Sequence, residues 1–239
     1  MAECLAKRSG FEVVVSLAGR TKAPAPQPGT TRRGGFGGAT GLADYLFGER
    51  IDALIDATHP YASVISANAF AAARQCGVPL LALCRPPWLA TAGDSWTEVD
   101  DVAAAVRGLG AQPRRVFVTL GRSEIGALCD APQHFFLIRS IDPVEPPLRL
   151  PQAHYVTARG PFSEADDHAF MRRHGIDVLI AKNSGGSASH GKIAAARALG
   201  IEVIMLRRPP PSGATAVETV EAAIAWLDHA LTSASARSV

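Results

Sequence analysis

Unbroken runs of Val, Ile, Leu and Phe recur along this chain, and stretches with helical spacing separate them. A strand with one wet face alternates apolar and polar residues, whereas a strand buried on both faces does not. The runs at 11–17, 53–57, 78–83, 116–120, 135–139, 154–158, 177–181 and 202–206 are mostly of the second kind. Helical patterns occupy 41–47, 63–75, 99–108, 163–173, 192–199 and 216–231, and residues 1–10 also read as a helix. Strand–helix alternation of this kind predicts α/β architecture with parallel sheets.

A polar break with Gly and Pro at 108–115 divides the chain into expected domains 1–110 and 111–239. The glycine- and proline-rich stretch 21–38 reads as a loop. A net charge of +2 gives no argument for nucleic acid as a partner. The four cysteines show neither C-x-x-C spacing nor a paired-His pattern, so no disulfide framework and no metal site is expected. No apolar run approaches the roughly 18 residues that span a bilayer, and the N-terminus lacks an apolar signal core. The expectation is a cytoplasmic protein without a membrane partner, and a monomer.

Ligands of open α/β sheets bind at the carboxyl ends of the strands, so the residues after each run carry the functional reading. Ser16, Arg20 and Thr21 follow the first run without any acidic residue. An acid there would hold the ribose of NAD, and a basic residue suits the 2′-phosphate of NADP; a solvated loop arginine is the alternative. Gly34-Gly35-Phe36-Gly37-Gly38 precedes a helix, where bare backbone N–H groups can meet an anion; a flexible turn is the alternative. Asp56 to Tyr61, the run DATHPY, ends a buried strand. Thr58 can donate to phosphate or ribose, Pro60 fixes the turn, and His59 is a candidate proton donor, a hydrogen-bond clamp or a satisfied structural histidine being the alternatives. In the second half, Arg122, Arg159 and Lys182 each follow a strand, and Lys182-Asn183-Ser184-Gly185-Gly186 has the composition of an anion cradle. Three cations at three strand ends suit a polycarboxylate; neutralising a helix or pairing with a surface acid is the alternative.

These stretches, VVVSLAGRT, GGFGGATGL, IDATHPYASVISANA, VTLGR, ARGPF and LIAKNSGG followed by KIAAARALGIEVIMLRRP, together resemble the precorrin-6A reductase family in the right order over nearly the whole chain. The resemblance implies two Rossmann-like parallel-sheet domains facing a central cleft. It implies hydride transfer from NADPH to the tetrapyrrole precorrin-6A, giving precorrin-6B in cobalamin biosynthesis. Cofactor contacts would fall on Ser16, Arg20, Thr21, Gly35, Phe36, Gly37, Gly38, Thr58, His59, Pro60 and Tyr61. Substrate contacts would fall on Arg122, Arg159, Lys182, Asn183, Ser184, Gly185 and Gly186. The family opens with a strand and a Gly-Gly-Thr turn that this sequence lacks, so the first strand of the N-terminal domain is expected to be missing. A reductase for the cobalt-containing macrocycle is the nearest alternative. A truncated, non-catalytic nucleotide- or tetrapyrrole-binding protein is the alternative of another class.

Overall fold

A computed structural model of the chain describes residues 1–19 and 24–235. In chain order its first elements are α1 (Ala2–Leu5), β1 (Val14–Leu17), β2 (Thr30–Arg33), α2 (Ala39–Gly48), β3 (Leu54–Asp56), α3 (Ser63–Cys76) and β4 (Leu80–Leu83). There follow β5 (Trp96–Val99), α4 (Val102–Gly108), β6 (Arg115–Val118), a 3-10 helix (Ile125–Asp130), β7 (Phe135–Ser140) and β8 (Ala153–Thr157). Then come α5 (Glu164–Arg173), β9 (Val178–Lys182), α6 (Gly191–Leu199), β10 (Glu202–Leu206), β11 (Thr215–Val217) and α7 (Val220–Ser235).

Two compact units result: residues 1–85 with 209–239, and residues 86–208. The expected division at 110/111 is therefore corrected, and strand pairing supplies the reason. β5 pairs in parallel with β10, which commits the segment before residue 110 to the second unit. After β10 the chain returns to the first unit, where β11 pairs with β4. Both strands were missed in the sequence. Trp96–Val99 has a polar centre, and Thr215–Val217 falls at the edge of a pattern that reads as one long helix. β2 was missed as well, inside the stretch read as a loop; Thr30–Arg33 has no apolar run to announce it.

The second unit is a six-stranded, all-parallel sheet in the order β5-β10-β9-β6-β7-β8. Its central strands are what unbroken apolar runs demand: Val116, Phe117, Leu137, Ile138, Leu179 and Ile180 have no exposed surface. α5 and α6 cover one face, where Met171, Ile193 and Ala196 meet Phe117, Leu137, Leu179 and Met205. α4 lies on the other face, where Gly108 approaches Ile204, since successive strand residues point to opposite sides.

In the first unit β1 and β2 form a parallel two-stranded ribbon, while β11, β4 and β3 form a parallel three-stranded sheet. Among the described residues no strand joins ribbon to sheet. Leu42, Ala43 and Leu46 of α2 pack on Ala69 and Ala72 of α3. Every residue of β3 and most of β1 remain only half-buried. Arg8 grips Asp228 of α7 through two hydrogen bonds of 3.2 and 2.9 Å, which ties the opening segment to the closing helix.

Candidate functional site

The first unit presents two strand-end loops. Arg32, in the unpredicted strand β2, props the glycine loop: its guanidinium donates to the carbonyls of Gly34 at 2.7 Å and Gly35 at 2.9 Å. It also reaches the Ser16 hydroxyl at 3.4 Å and stacks 3.6 Å from the centre of the Phe36 ring. Gly34, Gly37 and Gly38 have φ of +107°, +82° and +101°, where other residues are strained. A Cβ at Gly34, Gly35, Gly37 or Gly38 would meet open space, so the loop presents bare backbone. α2 begins at Gly38 without a side-chain cap, leaving its first N–H groups to another acceptor. Bare amides, an uncapped helix start and neighbouring Ser16 fit the phosphates of a dinucleotide. Arg20 and Thr21 lie outside the described residues.

Asp56 closes β3 and accepts the Thr58 N–H at 3.0 Å, and the Thr58 hydroxyl lies 3.4 Å from that of Ser66. The exposed His59 accepts the Tyr61 N–H at Nδ1, 3.3 Å away, which places the proton of a neutral ring on Nε2. Pro60 and Tyr61 lead into α3, whose N-cap Ala62 offers no side-chain acceptor either.

In the second unit the segment after β9 is a built loop. Asn183 is buried, and its amide clasps the backbone of Trp88: Oδ1 accepts the Trp88 N–H at 2.8 Å, and Nδ2 donates to the Trp88 carbonyl at 2.9 Å. The Trp88 indole donates to the Gly186 carbonyl at 2.8 Å. Gly185 is glycine because a Cβ would strike the Pro86 carbonyl and the Arg208 guanidinium. Arg208 in turn donates to the Asn183 carbonyl at 2.8 Å. Asn183 and Gly185, read from sequence as ligand contacts, are thus engaged in holding the loop. Beside it opens a cavity of about 550 Å³, lined among others by Pro86, Trp88, Phe162, Ser163, Gly186 and His190.

Lys182 ends β9 and pairs with Glu124 at 2.5 Å. Ser184, with its N–H on the Lys182 carbonyl at 2.8 Å, follows. Arg122 and Arg159 are exposed. Deeper lies Lys192, 6% exposed, donating to the Ser189 carbonyl at 2.8 Å with its ammonium 5.2 Å from the Trp88 ring centre. Burial, with the charge of Arg139 adding to it and that of Asp167 opposing it, pushes its pKa down to about 8. Arg139 and Asp167 themselves form a buried pair at 2.5 Å.

α2, α3 and α6, the helices after the glycine, THPY and KNSGG loops, all lack side-chain caps. α4 and α5 are capped by Asp101 and Ser163. Apart from Arg20 and Thr21, the sequence-read residues lie in the last residues of strands or in loops that follow strands in both units. Arg32, Trp88, Glu124 and Lys192 were missed. Arg32 and Trp88 carried only weak signals, a basic residue before a glycine run and a tryptophan after two prolines.

Parallel sheets with helices between their strands and glycine-containing loops at their strand ends define a Rossmann-like α/β protein. The family described as precorrin-6x reductase CbiJ/CobK matches residues 1–228. A precorrin-6A reductase of Sinorhizobium sp is 52% identical over 229 residues, covering 96% of this chain and 88% of the relative. A cobalt-precorrin-6A reductase of Priestia megaterium is 28% identical over 203 residues, covering 80% and 76%. A solved structure titled CobK precorrin-6A reductase superposes with a TM-score of 0.92 at 48% identity, covering 96% of this chain and 91% of that one. The chain belongs to the precorrin-6x reductase family, oxidoreductases of cobalamin biosynthesis.

Proposed function

We propose that this chain reduces precorrin-6A to precorrin-6B with NADPH. The observation that carries the cofactor half is the bare glycine loop, propped by Arg32 ahead of the uncapped α2. When bound, NADPH supplies the hydride, and the protein supplies position and charge. Ser16, Gly35, Phe36, Gly37, Gly38 and Thr58 to Tyr61 would hold it, and Arg20 with Thr21 would take the 2′-phosphate. His59 is the candidate donor of the proton that completes reduction of a double bond; it would donate as the imidazolium, giving up the Tyr61 contact at Nδ1. In the second unit Arg122, Arg159 and Lys182 would bind substrate carboxylates, with Ser184 and Gly186 beside them; Asn183 and Gly185 serve by fixing the loop.

The reading without cobalt is favoured because a relative named for precorrin-6A is 52% identical and one named for the cobalt form 28%. Assay of both macrocycles tests that choice. The cofactor reading is tested by titrating NADPH and NADH against wild type and Arg20→Ala. Losing a charge-assisted phosphate contact should weaken NADPH by roughly 1.5–3 kcal/mol and leave NADH almost unchanged. Equal wild-type affinity for the two cofactors contradicts the assignment.

A further inference from the structure

The sheet of the second unit changes winding direction between β6 and β9. From β6 the chain steps outward through β7 and β8, then crosses back to β9 and on to β10. At such a switch point the segments leaving two neighbouring strands part and open a crevice at the strands' carboxyl ends. They do part here. The 3-10 helix after β6 lies against α4, and α6 after β9 lies against α5, on the opposite face.

One carboxylate oxygen stands at this point. Glu124 Oε2 accepts the backbone N–H of Gly121, just beyond β6, at 3.1 Å. The same oxygen takes the ammonium of Lys182, the last residue of β9, at 2.5 Å. A backbone amide from the loop after β6 and an ammonium from the end of β9 thus converge on a single oxygen. The two side chains keep 15% (Lys182) and 33% (Glu124) of their surface exposed, so the pair is shielded yet within reach of solvent. This is the donor set that a ligand carboxylate would need, and the protein's own carboxylate fills it.

We propose that Glu124 is an internal occupant of a carboxylate subsite at the switch point, and that a carboxylate of an acidic ligand displaces it from Lys182 and the Gly121 amide. The proposal rests on the reading of the second unit as the side that takes the macrocycle's carboxylates. Exchange of one carboxylate for another keeps Lys182 paired. A neutral group arriving in its place would take the Glu124 charge away from a shielded ammonium and put none back, which is costly. Glu124 therefore selects for acidic ligands by rejecting the others, and it weakens all of them by competing for the same donors.

The test uses the whole chain and uroporphyrin, a stable polycarboxylated porphyrin, followed by fluorescence titration. Glu124→Gln keeps an acceptor for the Gly121 N–H and removes the negative charge beside the Lys182 ammonium; Glu124→Ala is the second variant, and thermal melting checks that each is folded. Both should bind uroporphyrin about fivefold more tightly than wild type, the scale of one partly exposed ion pair, and the gain should vanish when Lys182→Met is added. Equal or weaker binding by the folded Glu124 variants overturns the proposal, since Glu124 would then orient Lys182 rather than compete for it. A gain that survives Lys182→Met also overturns it, because net charge alone would explain it, and so does absence of binding by every variant. Turnover of precorrin-6A by the wild type, measured in parallel, reports on the reductase reading separately.

Discussion

Asn183 shows how one side chain can hold two loops together. Both ends of its amide bond to the Trp88 backbone, and the Trp88 indole bonds to Gly186, so a strand-end loop and a proline-flanked turn become one body. Asn183→Leu removes both hydrogen bonds and strands two backbone groups. It should lower stability by about 2–4 kcal/mol, read from denaturant unfolding; an unchanged midpoint would mean that the turn is held elsewhere. His134 offers a second test at this scale. It is fully buried, its Nδ1 accepts the Arg114 N–H at 3.1 Å, and burial lowers its pKa. A histidine whose folded pKa lies below the unfolded value of 6.5 costs nothing while neutral. As pH falls below that value the unfolded chain takes the proton more readily, so stability declines. His134→Gln should flatten the melting temperature below pH 6.5 relative to wild type. Lys192 acts in the other pH range. Its folded pKa of about 8 lies below the ordinary 10.5, so stability should rise as pH climbs between the two, and Lys192→Met should remove that rise.

At the scale of elements, the two units contrast. The central strands of the second unit are almost wholly buried and paired on both sides, whereas β1 and β2 form a ribbon in which β1 is half-buried and β2 mostly exposed. Two-stranded ribbons are marginal on their own. Amide exchange should therefore be much faster in 14–17 and 30–33 than in 116–118 and 178–182; equal protection would contradict this picture. Gly41→Ala tests the loop in the same unit, because its Cβ would run into the Phe36 carbonyl. It should weaken NADPH binding without reaching the second unit. The same contrast explains what the sequence made legible. Val116–Val118 and Leu179–Ala181 are buried on both faces, and that burial writes itself as unbroken apolar residues. Thr30–Arg33 and Trp96–Val99 lie at sheet edges, where backbone pairing makes the strand and the side chains leave no periodicity. Strand ends were legible for the same reason as the strands. Glu124 and Lys192 were not, because their roles arise from partners 58 residues away in one case and from burial in the other.

On the scale of the whole molecule, the order of pairing rather than the most polar break decides where the units divide. Residues 86–208 contain every strand of the six-stranded sheet, so a fragment with these bounds should fold cooperatively. The fragment 111–239 lacks β5, strips the edge of β10 and carries β11 and α7 without β4; it should aggregate or melt lower, and the reverse ranking would contradict the division. For the molecule's function the most direct measurement is anaerobic incubation of the full chain with precorrin-6A and NADPH, following NADPH absorbance and the mass of the macrocycle together. The expected result is one NADPH oxidised per macrocycle that gains two hydrogen atoms, with little reaction when NADH replaces it. A macrocycle that is bound but left unchanged in mass, with NADPH intact, would contradict the assignment as a reductase.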